Sequence, residues 1–309
     1  MTSEPNPSPS LFERFWRAPY LLLVLTIVFW AGNFTLGRAI HQDVPPVGLA
    51  FWRWTGGLLV MIAFSWTHLR RDWPIILAHW RYMLLLSAIG VAAFNTLVYI
   101  GLHTTTAVNA SLLQSTMPLV IIVWSFLLFG ERPLIRQIAG IAVSTVGVVV
   151  IVGQGSPAAL LALSVNPGDA LVLIAIVSYA AYSALLRRRP PIHPLSFVAV
   201  TFALGALILL PLYGWETASG DPVTLNWTTV LSVAYVAIFP SCLSYLFFNR
   251  GVELIGANRA GQFLHLMPVF GSLFAVALLG ESFRPYHAAG ILLIGLGIWL
   301  ATREKRRRD

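Results

Sequence analysis

The side chains best suited to bind a small molecule in this sequence are aromatic, hydroxyl and amide groups set inside apolar runs. Trp30 and Asn33 share one run, followed by Phe34 and Gly37 at the next helical positions; Asn95 and Tyr99 share another; Tyr179 and Tyr182, and Ser241 and Tyr245, occupy two more. Spacings of three and four residues put each set on one face of a helix. Ser111, Ser115 and Pro118 likewise fall on one face of a single run, with Gln114 at its border. Gly261, His265 and Pro268 occupy the equivalent face of a later one, bordered by Gln262. Rings offer stacking and apolar contact, while amides and hydroxyls leave donors for a carboxylate or an amine. That lining suits a small aromatic or neutral zwitterion and does not suit a phosphate. Some of these rings, like most of the tryptophans, have an alternative use as interface belts.

The proline in each polar face removes a backbone hydrogen bond and frees a carbonyl, which is tolerated in a spanning helix where neighbours or cavity water satisfy it. Pro118 and Pro268 are therefore expected to kink their helices beside a cavity. His265, on the same face as Pro268, reads as a polar cavity wall or proton acceptor, with a satisfied interior histidine as the alternative. Arg53 lies about two turns inside an apolar run, where a charge costs about 2.5–3.5 kcal/mol on insertion scales. It is either a counter-charge for a substrate carboxylate or an arginine that snorkels outward or binds freed helix carbonyls.

These groups need helices to hold them. The chain is 57% hydrophobic and 10% charged, too apolar to cover a water-soluble fold of 309 residues, so lipid is its solvent. Ten stretches approach the 20 or so apolar residues that a spanning helix needs: 19–40, 46–67, 81–102, 107–129, 135–152, 168–187, 194–213, 227–249, 258–279 and 286–302. The first is too long for a signal-peptide core and reads as a retained span. The opening dozen residues, with three prolines and three serines, read as a disordered tail. Cys242 is the single cysteine, which excludes intrachain disulfides and multi-cysteine metal sites.

The stretch from Leu86 to Gly147 is echoed from Val236 to Gly297, 150 positions on without a gap: Ala107, Met117, Pro118, Gly130, Glu131, Gly140 and Gly147 return as Ala257, Met267, Pro268, Gly280, Glu281, Gly290 and Gly297. A duplicated, strongly apolar chain is the usual build of a small-molecule transporter. With the amino terminus inside, seventeen of the twenty Lys and Arg residues fall on the inner side, so both termini are expected in the cytoplasm. The net charge of +8 follows from that asymmetry; an anionic inner leaflet is partner enough, and no nucleic acid is required. Five spans per half is odd, so the halves enter the membrane from opposite sides. The predicted fold is an all-α integral membrane protein of ten transmembrane helices, arranged as two inverted five-helix repeats, 19–152 and 168–302, between an amino-terminal cytoplasmic tail (1–18) and a basic one (303–309). Glu131 and Glu281 then lie near opposite faces and cannot share a catalytic centre; helix-end capping or gating contacts with Arg132 and Arg284 are expected instead. Asp169, at the start of the sixth span, suits a helix amino end.

Trp30-Ala31-Gly32-Asn33-Phe34, Phe51-Trp52-Arg53, and Pro118 followed by Gly130-Glu131 and Gly140 together resemble the EamA repeat of the drug/metabolite transporter superfamily, over nearly the whole chain. The resemblance implies a transporter of the bacterial inner membrane, and the chain is most similar to that group's aromatic amino-acid exporters. Export of aromatic or other neutral amino acids and related metabolites by alternating access, without ion coupling, is the expectation; a multidrug or nucleotide-type metabolite carrier, with or without proton coupling, is the rival. Because the family pattern carries arginine at position 53 across diverse substrates, its structural role is the preferred one. An integral-membrane enzyme would need acid, base or metal ligands at one depth, and the spans offer Arg53 and His265. Gly153-Gln154-Gly155-Ser156-Pro157-Ala158 fits a dinucleotide fingerprint, but with a proline where a helix should open. No Walker sequence or zinc-protease motif accompanies it. No cofactor, metal or obligatory protein partner is expected, only a small molecule and the lipid bilayer.

Overall fold

The computed structural model describes residues 10–39, 44–161, 164, 166–220, 222–279 and 282–303, which are helical almost throughout. Ten main rods follow one another: α1 (Pro19–Ala39), α2 (Pro46–Ala78), α3 (Trp80–Gly101), α4 (Ala107–Gln114 and Met117–Phe129), α5 (Ile135–Val152), α6 (Pro167–Arg188), α7 (Pro194–Ala218), α8 (Trp227–Ile255), α9 (Ala257–Ala260, Gly261–Leu266 and Met267–Leu279) and α10 (Pro285–Thr302). Among the described residues, eight are long and apolar enough to cross a membrane, namely α2 to α8 and α10. The apolar part of α1 is shorter, Pro19–Asn33, and α9 is divided by its 3-10 stretch Gly261–Leu266.

Proline opens α1, α2, α6, α7 and α10, where its missing N–H costs nothing and its fixed φ suits the first turn. At α6 the Asn166 side chain accepts from the Asp169 amide while Asp169 accepts from the Asn166 amide, a reciprocal cap. Gly130 ends α4 in the left-handed conformation (φ 68°). Two carboxylates work across helices. Glu216, near the end of α7, accepts from the Val47 and Gly48 amides at 3.0 and 2.7 Å and so caps α2. Asp72, near the far end of α2, accepts from the His193 amide at 2.9 Å, just before α7. The antiparallel pair α2–α7 is thus clasped at both ends by negative charge on a helix amino terminus.

Packing follows the duplication. α5 lies on α10 and α2 on α7, α1 packs against α8 and α9, and α6 packs against α3 and α4; exchanging the halves leaves that set unchanged. α5 and α10 are antiparallel, for Gly140 faces Gly297 and Gly147 faces Gly290. A Cβ on Gly140 would meet the Gly297 carbonyl at 2.5 Å, and one on Gly147 would meet the Gly290 carbonyl at 2.8 Å. Backbones approach this closely only where no side chain intervenes. α3 and α8 each carry a π-helical turn, Ala88–Ala93 and Ala237–Leu243, at corresponding places.

The structure departs from the sequence-based boundaries in several places, α7 and α8 running on to Ala218 and Ile255 past expected ends at 213 and 249. α2 continues to Ala78, past the expected end at 67 and through Pro74, because the Asp72–His193 contact holds the extension against the start of α7. α4 is interrupted at Ser115–Thr116 and α9 at Gly261–Leu266, so both interruptions precede their prolines. A short helix, Leu11–Trp16, started by a Ser10–Glu13 capping box, precedes α1 and overlaps the last two of the dozen residues expected to be disordered; residues 1–9 and 304–309 lie outside the described residues.

Gly147→Leu should separate α5 from α10 and destabilise the protein by about 1–3 kcal/mol, the usual range for overpacking. Thermal unfolding in detergent would register this as a lowered transition, and an unchanged one would show that the two backbones can part there freely.

Candidate functional site

The centre of the bundle is organised by a proline. Pro240 has no N–H, so the Val236 carbonyl loses its ordinary helical partner, and the Ser241 hydroxyl donates to it instead at 2.7 Å. The turn widens into the π-helical segment of α8, and the Pro240 carbonyl is turned to side chains. It accepts from Trp30 Nε1 at 2.9 Å and from Arg53 Nη2 at 3.0 Å. Arg53 also donates through Nε to Ser241 Oγ at 2.7 Å and through Nη1 to Asn95 Oδ1 and Tyr99 Oη, both at 3.1 Å. Its guanidinium lies 4.7 Å from the centre of the Trp54 ring, within cation–π range.

Arg53 is 1% exposed, and every acceptor around it is neutral. Tyr99 passes its own proton to Asn33 Oδ1 at 3.3 Å, and Ser241 passes its proton to Val236. The positive charge is therefore spread over relays that end on amide and backbone dipoles. Among the described residues no carboxylate pairs with it. The corresponding π-helical turn in α3 repeats the device with the roles changed: the Gly90 carbonyl accepts from Tyr245 Oη at 2.5 Å. Gly90 has to be glycine there, since a Cβ would collide with the Tyr182 ring.

A cavity of about 700 Å³ reaches this centre from the end of the molecule where α1 joins α2 and α3 joins α4. Its mouth includes Val44, Pro46, His103 and Thr106, and its deeper wall includes Asn33, Tyr99, Ser111, Gln114, Ser115, His265 and Pro268. At its floor a recess of about 20 Å³, about one water in size, is bounded by Arg53, Trp30, Asn95, Phe94, Tyr179 and Tyr245. The Tyr179 hydroxyl is buried there without a hydrogen-bond partner among the described residues. Below it the passage is filled by rings, with Tyr179–Tyr182 centroids 5.4 Å apart and Tyr179–Phe248 centroids 5.7 Å apart.

The breaks in α4 and α9 meet at His265. Leu119 N bonds Thr116 O rather than reaching back a full helical turn, which leaves the Ser115 carbonyl to accept from His265 Nε2 at 2.7 Å. The other ring nitrogen meets Ser144 Oγ. With Nε2 carrying a proton, Nδ1 accepts from Ser144 in the neutral imidazole. Ser115 and Thr116 hydroxyls donate to Leu112 and Leu113 carbonyls at 2.6 and 2.7 Å, completing the repair of the interrupted turn.

The opposite end is shut by charge. Glu131 pairs with Arg187 across the two halves rather than with its neighbour Arg132, while Glu253 binds Arg189 at 2.9 Å and Arg250 at 3.0 Å. All are partly exposed, so each pair is worth little alone. At the open end Asp169 accepts from Thr105 and Asn109 as well as capping α6, tying the α3–α4 connection down.

Of the residues singled out from sequence, Trp30, Asn33, Arg53, Asn95, Tyr99, Ser111, Gln114, Ser115, Tyr179, Tyr245, His265 and Pro268 border the cavity or its recess. Tyr182, Gln262 and Pro118 border neither. Tyr182 is sealed below the floor with its hydroxyl on Asn249 Oδ1 at 3.0 Å, Gln262 is fully buried, and Pro118 opens the second piece of α4, facing Gly261. Glu281 lies outside the described residues, as does the side chain of Phe34. Sequence reasoning missed the Pro240 carbonyl, Gly90, Phe94 and Met267. A proline followed by serine in the eighth span was the available sign of the first.

A two-repeat all-helical bundle with membrane-length helices and a polar-floored central cavity is the build of a multi-pass membrane transporter of small molecules. The chain belongs to the EamA-like transporter family, whose model matches residues 17–153 and again 166–303. It is 27% identical over 290 residues to an "uncharacterized transporter" of Archaeoglobus fulgidus, covering 93% of this chain and 98% of that protein. It is 27% identical to a "probable amino-acid metabolite efflux pump" of Salmonella typhimurium, over 92% of this chain and 94% of the relative. A "probable terminal-alkyne amino-acid exporter" of Streptantibioticus cattleyicolor is 28% identical, over 93% and 95%. A solved crystal structure with 21% identity superposes with a TM-score of 0.75 over 92% of this chain and 96% of its own, which shows the shared fold.

Arg53→Met should take the donor from Asn95 Oδ1 and one of the two donors from the Pro240 carbonyl, at about 1–3 kcal/mol for a buried group left unpaired, and lower the thermal transition in detergent. Arg53→Lys should recover only part of it, because an ammonium cannot serve Ser241, Asn95, Tyr99 and Pro240 with one planar fork. Equal transitions for the two variants and the parent would show that the guanidinium does not hold the π-helical turn.

Proposed function

We propose that this transporter exports aromatic or other neutral amino acids and related metabolites across the bacterial inner membrane by alternating access, driven by the substrate's own gradient. In this reading all ten rods cross the membrane as two inverted five-helix repeats, both termini are cytoplasmic, and the cavity described above faces outward. The observation that carries it is the floor of that cavity. A buried guanidinium with four neutral hydrogen bonds keeps one of its five N–H groups, and beside it stand an unpartnered Tyr179 hydroxyl and the rings of Trp30, Phe94 and Tyr245. A substrate carboxylate supplies the missing counter-charge and accepts from both donors, and an aromatic side chain fills the ring-lined space above. The recess as it stands admits about one water, so substrate entry requires the rings to part. Arg53 thus serves both readings left open by the sequence, holding the freed carbonyl of α8 and facing the substrate.

Two further observations support the remaining terms. The buried carboxylates Asp72, Asp169 and Glu216 cap backbone amides near helix ends, which suits a carrier without an acidic switch at mid-depth. The shut end carries Arg132, Arg187, Arg188, Arg189 and Arg250, as cytoplasmic surfaces do. The amino-acid reading also agrees with the names of the Salmonella and Streptantibioticus relatives.

Purified protein in liposomes should equilibrate labelled phenylalanine, and threonine more weakly, without moving an organic cation. An imposed proton gradient should produce no accumulation above equilibrium, and an uncoupler should leave the final level unchanged. Transport of the cation alone would replace the amino-acid reading by a multidrug one, while uphill uptake abolished by His265→Ala would make that histidine a coupling residue.

For topology, a cysteine placed in the 153–166 connection of a Cys242→Ala chain should react with an impermeant thiol reagent from outside the cell, and one beside Arg188 only after permeabilisation. The reverse pattern would overturn the orientation.

A further inference from the structure

We infer that Asn249 is a substrate contact of the state in which the shut end is open, an inference that rests on the alternating-access reading above. The two halves place corresponding residues 149 positions apart in α1 and α6, and 150 apart in α3 and α8, so Asn33 corresponds to Tyr182 and Tyr99 to Asn249. Each pair is joined by the same bond. Tyr99 Oη donates to Asn33 Oδ1 at 3.3 Å between α3 and α1, and Tyr182 Oη donates to Asn249 Oδ1 at 3.0 Å between α6 and α8. The residue types have changed places between helices while the tyrosine–amide bond has been kept.

The surroundings of the two bonds differ. Asn33 and Tyr99 border the 700 Å³ cavity, whereas Tyr182 and Asn249, equally buried, border neither it nor the recess. Asn249 lies one turn beyond Tyr245 toward the shut end, on the helix whose Pro240 carbonyl binds Arg53. Among the described residues its Nδ2 has no hydrogen-bond partner, nor have Asn258 Oδ1 and Gln262 Oε1 on the neighbouring α9. Turning the Asn249 amide over does not cure the defect, since one end or the other stays unpaired. A buried amide left unpaired weakens the packed state, and an apolar residue of the same shape would not. These groups are matched to a different arrangement. When the shut end opens, the Tyr182–Asn249 bond takes the position relative to the new cavity that Tyr99–Asn33 has in the present one, and the free amide N–H donates to the carboxylate of a substrate arriving from, or leaving to, that side.

The test uses the full chain in liposomes, with Cys242→Ala as background. Asn249→Cys should react with a small methanethiosulfonate reagent applied at the shut face and not at the open face, with saturating phenylalanine slowing the reaction; Tyr99→Cys should show the opposite sidedness. Asn249→Leu should raise the KM for phenylalanine presented at the shut face at least fivefold, leave the KM at the open face unchanged, and leave the thermal transition equal or higher. A lowered transition with both KM values unchanged would overturn the inference in favour of a packing role. So would Asn249→Cys that stays unreactive from both faces while phenylalanine transport continues, an outcome that leaves the proposed function standing. If phenylalanine is not carried but the sided reactivity is seen, the lining position is supported and the substrate reading alone is lost.

Discussion

A positive charge buried among neutral acceptors is the constraint to which the centre of this protein answers. A guanidinium removed from water has to recover its hydration from fixed dipoles, and Arg53 does so by drawing groups from α1, α3 and α8 onto one spot. The supply of dipoles depends on Pro240, whose missing N–H opens the helix and exposes a carbonyl that a regular turn would have used. The charge and the helix defect stabilise one another. Neither alone would suit a bundle interior, and together they form a floor with one donor to spare.

Helix defects recur in four of the helices that line the cavity, α3, α4, α8 and α9. The widened turns of α3 and α8 present carbonyls to Tyr245, Trp30 and Arg53, and the breaks in α4 and α9 present the Ser115 carbonyl to His265. In a spanning bundle such irregular backbone is tolerated where protein or cavity water satisfies it. The glycine-packed α5 and α10 and the clasped pair α2–α7 carry no widened or broken turn of this kind, although α2 and α5 also reach the cavity, through Arg53 and Val148.

Much of this was legible in the sequence, for reasons that differ by element. Proline at helix starts and the 150-residue echo located most rods to within a few residues, since both depend on local chemistry. The length of α2 did not follow, because Thr67 to Pro74 is polar and contains a helix breaker; its helix persists through the distant contact of Asp72 with His193. Arg53 stood out as a charge in an apolar run, but its partner carbonyl is 187 positions away and exists only because the turn at Pro240 widens. Tyr182 and Gln262 share their helical faces with lining residues, yet periodicity gives direction around a helix and not depth along it, and both lie below the floor. Glu131 illustrates the same limit: proximity in sequence suggested Arg132, whereas the fold delivers Arg187 from the other half.

The seam between α5 and α10 also bears on how such a chain tolerates change. Gly147 and Gly290 line one gap from its two sides, and Gly140 and Gly297 line another. A methyl group gained at one member already pushes the backbones apart, so a second gained at its partner adds little further strain. Substitutions within a pair should therefore fall short of additivity, whereas substitutions in different gaps should sum. Four glycines then amount to two independent constraints, and a lineage that has lost one member of a pair has little left to protect the other.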